Sequence, residues 1–157
     1  MKIDIIKAKE SDMLDLSIMT GELLQEIMDK IGSEVFTFNQ EETQQRANDL
    51  ISNNLYFIFF AKYQNKPVGF ISLCESHALY AEGSYGIIPE LYIREEYRSL
   101  NIGKLLLDEA KKFAYFKKWK NLVVTTPPLP QFDRTSLFYE NNGFDVTGGK
   151  KLKIDIG

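Results

Sequence analysis

Three apolar segments follow one another closely in the middle of the chain and constrain its fold more than any other feature of the 157 residues. They cover residues 55–61, 68–73 and 85–93 and are rich in aromatic and β-branched residues, a composition typical of strands. The first two are joined through a short polar turn at 64–66, which predicts neighbouring antiparallel strands. The sequence therefore predicts a sheet at the centre of the fold.

Helices are expected before and after this strand-rich segment, because apolar residues recur there at helical spacing. They are predicted after Ser11, from about Gln40, over Ile102 to Ala114, and around 135–141. Further strands are predicted at 2–7, at 121–126, and as a last pair from Phe144 onward that includes Leu152, Ile154 and Ile156. We expect one domain over residues 1–157, of mixed α/β (α+β) class with about four helices and a mostly antiparallel sheet.

Charge and rare residues exclude several classes of protein. The 19 Lys and Arg residues are outnumbered by 22 Asp and Glu, which argues against binding to nucleic acid. The lone Cys74 cannot form an intrachain disulfide, and with His77 it offers too few ligands for a zinc site, so no metal is expected. No signal-like or membrane-spanning apolar run occurs, and we expect a soluble cytoplasmic protein without a membrane partner.

The segment 97–107 carries the strongest chemical signal. A strand runs through a short polar loop straight into an amphipathic helix, whose first backbone amides lack partners within the helix. Such a helix start attracts anions, and Arg98 and Lys104 add positive charge. The alternative interpretation at this point is a solvent-facing loop with two basic residues.

The stretch E-L-Y-I-R-E-E-Y-R-S-L-N-I-G-K-L-L-L at 90–107 resembles the acyl-CoA-binding segment of the GCN5-related N-acetyltransferase (GNAT) superfamily. In its [R/Q]-x-x-G-x-[G/A] loop, Arg98 and Gly103 match, while Asn101 stands where the first glycine is usual. Asn is the residue after glycine that best tolerates a positive φ, so this departure is mild.

A second stretch, S-L-F-Y-E-N-N-G-F at 136–144, is similar to the late helix of the same family. Phe138, Tyr139, Gly143 and Phe144 match that pattern residue by residue. The order of the predicted elements along the chain agrees with the GNAT fold as well.

The resemblance implies acetyl-CoA as co-substrate and a sheet that splays open between its fourth and fifth strands. The pantetheine arm would pair with Leu91, Tyr92 and Ile93, and an amide near Tyr92 or Ile93 would support the developing oxyanion. The pyrophosphate would lie on the loop and helix start: Arg98, Ser99, Leu100, Asn101, Ile102, Gly103 and Lys104.

The resemblance also implies two catalytic residues. Glu90 would take a proton from the amine, and Tyr139 would give one to the departing thiolate. The structural alternatives are a solvated strand-edge glutamate after Pro89 and a core aromatic residue beside Phe138.

The implied reaction is acetylation of a primary amine, and a small-molecule amine is preferred as substrate. Residues considered for the acceptor side are Phe36, Glu75, His77 and Arg134. A protein or peptide amine, and a non-catalytic acyl-CoA sensor of the same fold, stay open as alternatives, whereas a nucleotide-binding protein lacks its glycine-rich motifs. The resemblance also allows a homodimer, which nothing in the sequence fixes.

Overall fold

A six-stranded sheet dominates the first of two compact units, Met1–Thr125 and Thr126–Gly157. A computed structural model describes all 157 residues. The strands are β1 (Asp4–Lys7), β2 (Phe57–Tyr63), β3 (Lys66–Ala78), β4 (Gly83–Ile88), β5 (Leu91–Ile93) and β6 (Leu122–Val124). The helices are α1 (Met13–Ile31), α2 (Gln40–Ser52), α3 (Ile102–Phe116) and, in the second unit, α4 (Asp133–Asn141).

The sheet is mixed but mostly antiparallel. Its order is β1-β2-β3-β4-β6, and β5 pairs with β3 beyond the end of β4. β4 and β6 are parallel, whereas every other pair is antiparallel. The predicted fold class, a mixed sheet with helices around it, is confirmed.

Both faces of the sheet are covered by helices. On one face, α1 and α2 bury a cluster formed by Met13, Leu16, Met19, Ala47, Ile58, Phe60, Phe70 and Tyr92. On the other face, α3 buries Leu106, Leu107 and Ala110, and the ring of Phe113 lies 4.8 Å from that of Phe57. Burying apolar surface on both faces is what holds the strands together.

Local sequence signals explain where the first helices begin and end. Gly32 ends α1 in the left-handed conformation, with φ 71°, and its N–H donates to the Met28 carbonyl at 2.9 Å. Asn39 caps α2 by accepting the N–H of Glu42 at 3.0 Å. No helix combines the length and the apolar character needed to cross a membrane.

Three sequence predictions about strands are wrong in detail. β3 extends through Ala78, so Glu75 and His77 lie within the ladder, opposite Gly86 and Ser84, rather than after the strand. The segment predicted at 121–126 is a shorter strand, Leu122–Val124, whose Val123 is exposed. The predicted strand at 85–93 is two strands, since its pairing with β3 is interrupted at Pro89.

The second unit contains α4 and an irregular tail. Gly143 follows the helix with φ 95°, and its N–H donates to the Glu140 carbonyl at 3.2 Å. The last strand pair predicted from Phe144 is absent: residues 144–157 form neither strand nor helix, and Leu152, Ile154 and Ile156 are exposed. Alternation of apolar and polar residues favours a strand only where a neighbouring strand completes its hydrogen bonds.

Candidate functional site

A β-bulge separates β4 from β5. Cys74 lies opposite Ile87 and Ile71 opposite Leu91, so three steps along β3 face four steps along the other strand. The extra residue falls beside Pro89, which has no N–H to offer a ladder and is tolerated at such a point. The bulge therefore sets the register of β5 independently of β4.

Beyond the bulge, β5 has one open edge. Ser72 N–H donates to the Glu90 carbonyl at 3.0 Å and Arg94 N–H to the Val68 carbonyl at 2.9 Å, so residues 90, 92 and 94 face β3. By the alternation of an antiparallel ladder, the backbone groups of Leu91 and Ile93 face the opposite edge. β6 pairs with β4 only as far as Ile88 and does not reach this edge. The sheet splays here, leaving backbone groups to which an extended ligand can pair.

The loop after β5 leads into the start of α3 through two residues with positive φ. Ser99 has φ 67° and Asn101 has φ 66°, the conformation that the family motif usually gives to glycine. The first backbone bond of the helix runs from Leu105 N–H to the Asn101 carbonyl at 3.1 Å. The amides of Ile102, Gly103 and Lys104 precede that bond, and no acidic residue stands in the first turn. This helix start is thus suited to an anion.

The two basic side chains of the loop are engaged elsewhere in the protein. Lys104 Nζ pairs with Asp108 at 2.9 Å, one turn along α3. Arg98 donates Nη1 and Nη2 to the two carboxylate oxygens of Glu26 on α1, at 2.6 and 3.0 Å, and Nε to the Ile93 carbonyl at 2.8 Å. Burial lowers the pKa of Arg98, but the hydrogen bonds and charge of Glu26 outweigh it, and the pKa lies above its ordinary value. Arg98 therefore fixes the loop to α1.

A second ion pair joins α1 to the end of β5. Arg94 contacts Glu22 through Nε at 3.0 Å and Nη2 at 3.1 Å, and the Tyr92 hydroxyl donates to Glu22 at 3.1 Å. Burial and the Glu22 carboxylate raise the pKa of Tyr92 to about 12. Sequence reasoning missed Glu22, Glu26 and Arg94. The sequence does contain a signal for these two ion pairs. The two glutamates on α1, 22 and 26, are four residues apart, and so are the two arginines after β5, 94 and 98.

Glu90 lies at the bulge, half-buried, on the α1 and α2 side of the sheet. Its carboxylate forms a short hydrogen bond with the Ser72 hydroxyl and a long one, 3.5 Å, with the Tyr56 hydroxyl. Burial raises the pKa of Glu90, while the hydrogen bonds from Ser72 and Tyr56 lower it in part. A carboxylate with a raised pKa is a stronger base than an exposed one.

Cys74, next to this carboxylate, is not activated as a nucleophile. Burial and the charge of Glu90 raise the pKa of the Cys74 thiol, which keeps it protonated.

Tyr139 belongs to the second unit, where it lies on α4. Its side chain is 5% exposed and its ring centroid lies 5.2 Å from that of Phe138 and 5.3 Å from that of Phe144. Burial raises the pKa of the Tyr139 phenol well above its usual range. The hydroxyl is therefore protonated at neutral pH.

The residues considered for the acceptor side are spread over several elements. Trp119 Nε1 donates to Glu75 at 2.6 Å, and His77 lies 3.6 Å from the same carboxylate and 3.2 Å from the Ser84 hydroxyl. Phe36 is exposed between α1 and α2, and Arg134 is exposed in the first turn of α4. A shallow cavity of about 440 Å³ lies at the β3–β4 turn and includes His77 in its lining. Glu75 and His77 come together on β3, whereas Phe36 and Arg134 belong to other parts of the chain.

The family profile described as "Acetyltransferase (GNAT) domain" matches residues 54–146, more than half of the chain. This chain belongs to the GNAT acetyltransferase family. It is therefore an acyltransferase, and the matched segment of this GNAT domain contains the bulge, the open edge of β5, the α3 loop and Tyr139. No curated protein sequence matches the chain.

Solved acetyltransferase structures share the fold of this GNAT protein. A ribosomal-protein-alanine N-acetyltransferase from Brucella melitensis biovar Abortus 2308 has a TM-score of 0.75 at 17% identity, covering 99% of this chain and 100% of that one. A predicted acetyltransferase from Clostridium acetobutylicum with acetyl-CoA has a TM-score of 0.76 at 19% identity, covering 98% and 96%. An aminoglycoside acetyltransferase from an uncultured soil metagenomic sample, in complex with sisomicin, has a TM-score of 0.72 at 16% identity, covering 99% and 95%.

Proposed function

We propose that this GNAT protein transfers the acetyl group of acetyl-CoA to a primary amine, by direct attack of the amine in a ternary complex. The observation that carries the proposal is the open edge of β5 beside an uncapped helix start. Leu91 and the Ile93 amide direct backbone groups outward, whereas the Ile93 carbonyl accepts from Arg98. The amides of Ile102, Gly103 and Lys104 begin α3 a few residues later. The amide groups of a pantetheine arm can pair with the open edge of β5, and the pyrophosphate that follows it can then bind the amides at the start of α3.

The pyrophosphate is assigned to the loop and helix start at residues 98–104, with its charge met by backbone amides rather than by side chains. Arg98 and Lys104 contribute to this pyrophosphate site only indirectly, because their cationic groups are paired with Glu26 and Asp108. The outward amide of Ile93 is the better placed oxyanion donor, since the Tyr92 backbone faces β3. Tyr92 acts instead through its ring and hydroxyl, which hold Glu22.

Glu90 is assigned as the base that takes the proton from the attacking amine, directly or through water. An alkyl amine has a pKa near 10 and is mostly protonated at neutral pH, so attack requires loss of a proton. The raised pKa of Glu90, caused mainly by burial, supports this role. Tyr139 is assigned as the acid that protonates the thiolate of coenzyme A, an assignment that rests on its place in the family pattern.

A small-molecule amine is the preferred acceptor. The fold is shared with an enzyme described as acting on ribosomal-protein alanine and with one described as an aminoglycoside acetyltransferase, so likeness of fold does not select between these substrates. The acidic side chains Glu34 and Glu82, exposed on connections next to the sheet, and Glu75, exposed on β3, favour a cationic amine.

The test is release of free thiol from acetyl-CoA in the presence of polyamines, amino acids, peptides and aminoglycosides, with calorimetric measurement of acetyl-CoA binding alongside it. We expect turnover with at least one cationic small amine. Binding of acetyl-CoA without thiol release on any amine would support a sensor instead. Turnover only with peptides would move the substrate class to protein amines.

A further inference from the structure

Ser72 contacts Glu90 through both its backbone and its side chain. It lies in the middle of β3, is 0% exposed, and its N–H donates to the Glu90 carbonyl at 3.0 Å. Its hydroxyl oxygen accepts the Glu90 N–H at 2.9 Å and shares a short hydrogen bond with Glu90 Oε1. Because an ionised carboxylate can only accept, the hydroxyl is the donor in this short bond; the Glu90 carbonyl, at 3.4 Å, is a longer second acceptor. The side chain of Glu90 is thus folded back onto the strand opposite.

Tyr56 holds the other carboxylate oxygen. Its hydroxyl donates to Glu90 Oε2 at 3.5 Å, and its ring packs against the core cluster beneath α1 and α2. Each oxygen of the Glu90 carboxylate therefore has one hydroxyl donor, and both donors come from the strand-rich middle of the chain rather than from either family motif.

We propose that Ser72 and Tyr56 are positioning residues that fix the orientation of the Glu90 carboxylate and stabilise its ionised form. The inference rests on the proposed role of Glu90 as base and adds the two side chains that make this half-buried carboxylate usable. An ionised carboxylate gains most from donors where water is scarce, since an unpaired buried charge is costly. Neither hydroxyl contacts the amine or the thioester in this scheme.

The groups facing Glu90 determine the sign of the effect. The Cys74 thiol on β3 and the Tyr56 phenol lie closest, and burial together with the charge of Glu90 raises the pKa of each. Farther along the same face, Glu22 of α1 is paired with Arg94. Since the hydrogen bonds from Ser72 and Tyr56 lower the pKa of Glu90, removing either hydroxyl raises that pKa further. In such a variant, Glu90 becomes ionised only at a higher pH than in the parent protein.

The decisive experiment is a ¹³C NMR titration of carboxyl-labelled glutamate in the full chain without substrate, with the Glu90 signal assigned by its loss in Glu90→Gln. In Ser72→Ala and Tyr56→Phe we expect the Glu90 midpoint at higher pH than in the parent. Ser17→Ala serves as the matched control, because Ser17 is also 0% exposed but donates to the Leu14 carbonyl on α1. An unchanged midpoint in a folded Ser72→Ala or Tyr56→Phe protein overturns the inference.

Kinetics then separate this inference from the proposed function. At a pH on the acid side of the kcat/KM profile, we expect each hydroxyl variant to lose activity at least about threefold, with little loss on the plateau. If the Glu90 midpoint measured by NMR shifts but the acid limb of the kcat/KM profile does not, the hydrogen bonds from Ser72 and Tyr56 are supported and Glu90 is not the base. If the midpoint stays fixed while Glu90→Gln is inactive, Glu90 is needed and its positioning by the two hydroxyls is wrong.

Discussion

Arg98 and Glu26 form a two-pronged ion pair, with Nη1–Oε1 and Nη2–Oε2 distances of 2.6 and 3.0 Å. Arg98 thereby points toward α1 and holds the loop in place, so that the backbone of the loop, rather than this side chain, is left to meet a ligand. One side chain thus joins the helix that covers the sheet to the strand and loop assigned to acetyl-CoA.

Glu26→Gln is expected to weaken acetyl-CoA binding and to lower the free energy of unfolding by about 1 kcal/mol. A buried hydrogen bond between charged groups contributes more to the free energy of unfolding than an exposed one. The effect expected here is modest because Arg98 and Glu26 are partly exposed and solvent screens their charges. Urea unfolding and calorimetric titration with acetyl-CoA measure the two effects. Glu34→Gln, at an exposed position, is the control and should change neither.

Ser99→Gly is expected to raise the free energy of unfolding by about 1 kcal/mol, because Ser99 holds φ 67°, a conformation costly for residues other than glycine. Asn101→Gly, at φ 66°, should be close to neutral, since Asn tolerates this region better. Thermal and urea unfolding compare the two variants. Destabilisation by Ser99→Gly would show that the serine side chain makes a contribution that the backbone argument omits.

Gly103→Asp is expected to abolish acetyl-CoA binding, because it places a carboxylate at a helix start that has no acidic residue in its first turn. Gly103→Ala separates the charge from the size of the side chain and should reduce affinity less. Calorimetry measures both variants after circular dichroism has shown that they fold. Unchanged affinity of a folded Gly103→Asp protein would exclude this helix start as the pyrophosphate seat.

Tyr139→Phe is expected to cut turnover about tenfold or more, while acetyl-CoA affinity stays nearly intact, because only the proton donor is lost. The buried ring and its contacts with Phe138 and Phe144 are retained in this variant. Tyr115→Phe, at a highly exposed tyrosine, is the matched control. Thiol release under saturating acetyl-CoA is the measurement, and full activity would remove Tyr139 from the mechanism.

Glu90→Gln is expected to stabilise the protein increasingly as pH rises. The folded-state pKa of Glu90 is raised by burial, so the folded parent binds more protons than the unfolded chain between the unfolded and folded pKa values. Parent stability from this group is therefore lost as pH rises through that window, whereas the glutamine variant has no such loss. Urea unfolding at several pH values measures the difference between the two proteins. A difference that does not vary with pH would show that Glu90 has no raised pKa.

The sequence predicted the parts of the fold that depend on local pattern. The hairpin of β2 and β3 and the start of α3 at Ile102 follow from periodicity and from turn residues. The tail after Phe144 was wrong because alternation says nothing about whether a neighbouring strand exists. The bulge at Pro89 was missed because residues 85–93 were predicted as one unbroken strand, although proline has no N–H to offer a ladder.

The sequence predicted the backbone elements of the candidate site but not the side-chain contacts that support them. Asn101 is recognisable because few residue types tolerate its positive φ, whereas Gly103 lies in the first turn of α3 and is recognised from the family motif. Contacts such as Arg98–Glu26 and Ser72–Glu90 join residues far apart in the chain, and no local pattern records which glutamate meets which partner. The same distance in sequence explains why the charge of Arg98 was assigned to the phosphate rather than to α1.

A structure of the protein with acetyl-CoA tests the central claim most directly. The account predicts the pyrophosphate against the backbone amides at residues 98–104 and the pantetheine arm paired with Leu91 and Ile93 along the open edge of β5. The thioester would then lie near the Ile93 amide, on the side that Glu90 can reach directly or through water. A pyrophosphate bound away from the start of α3, or a pantetheine arm that leaves β5 unpaired, would contradict it.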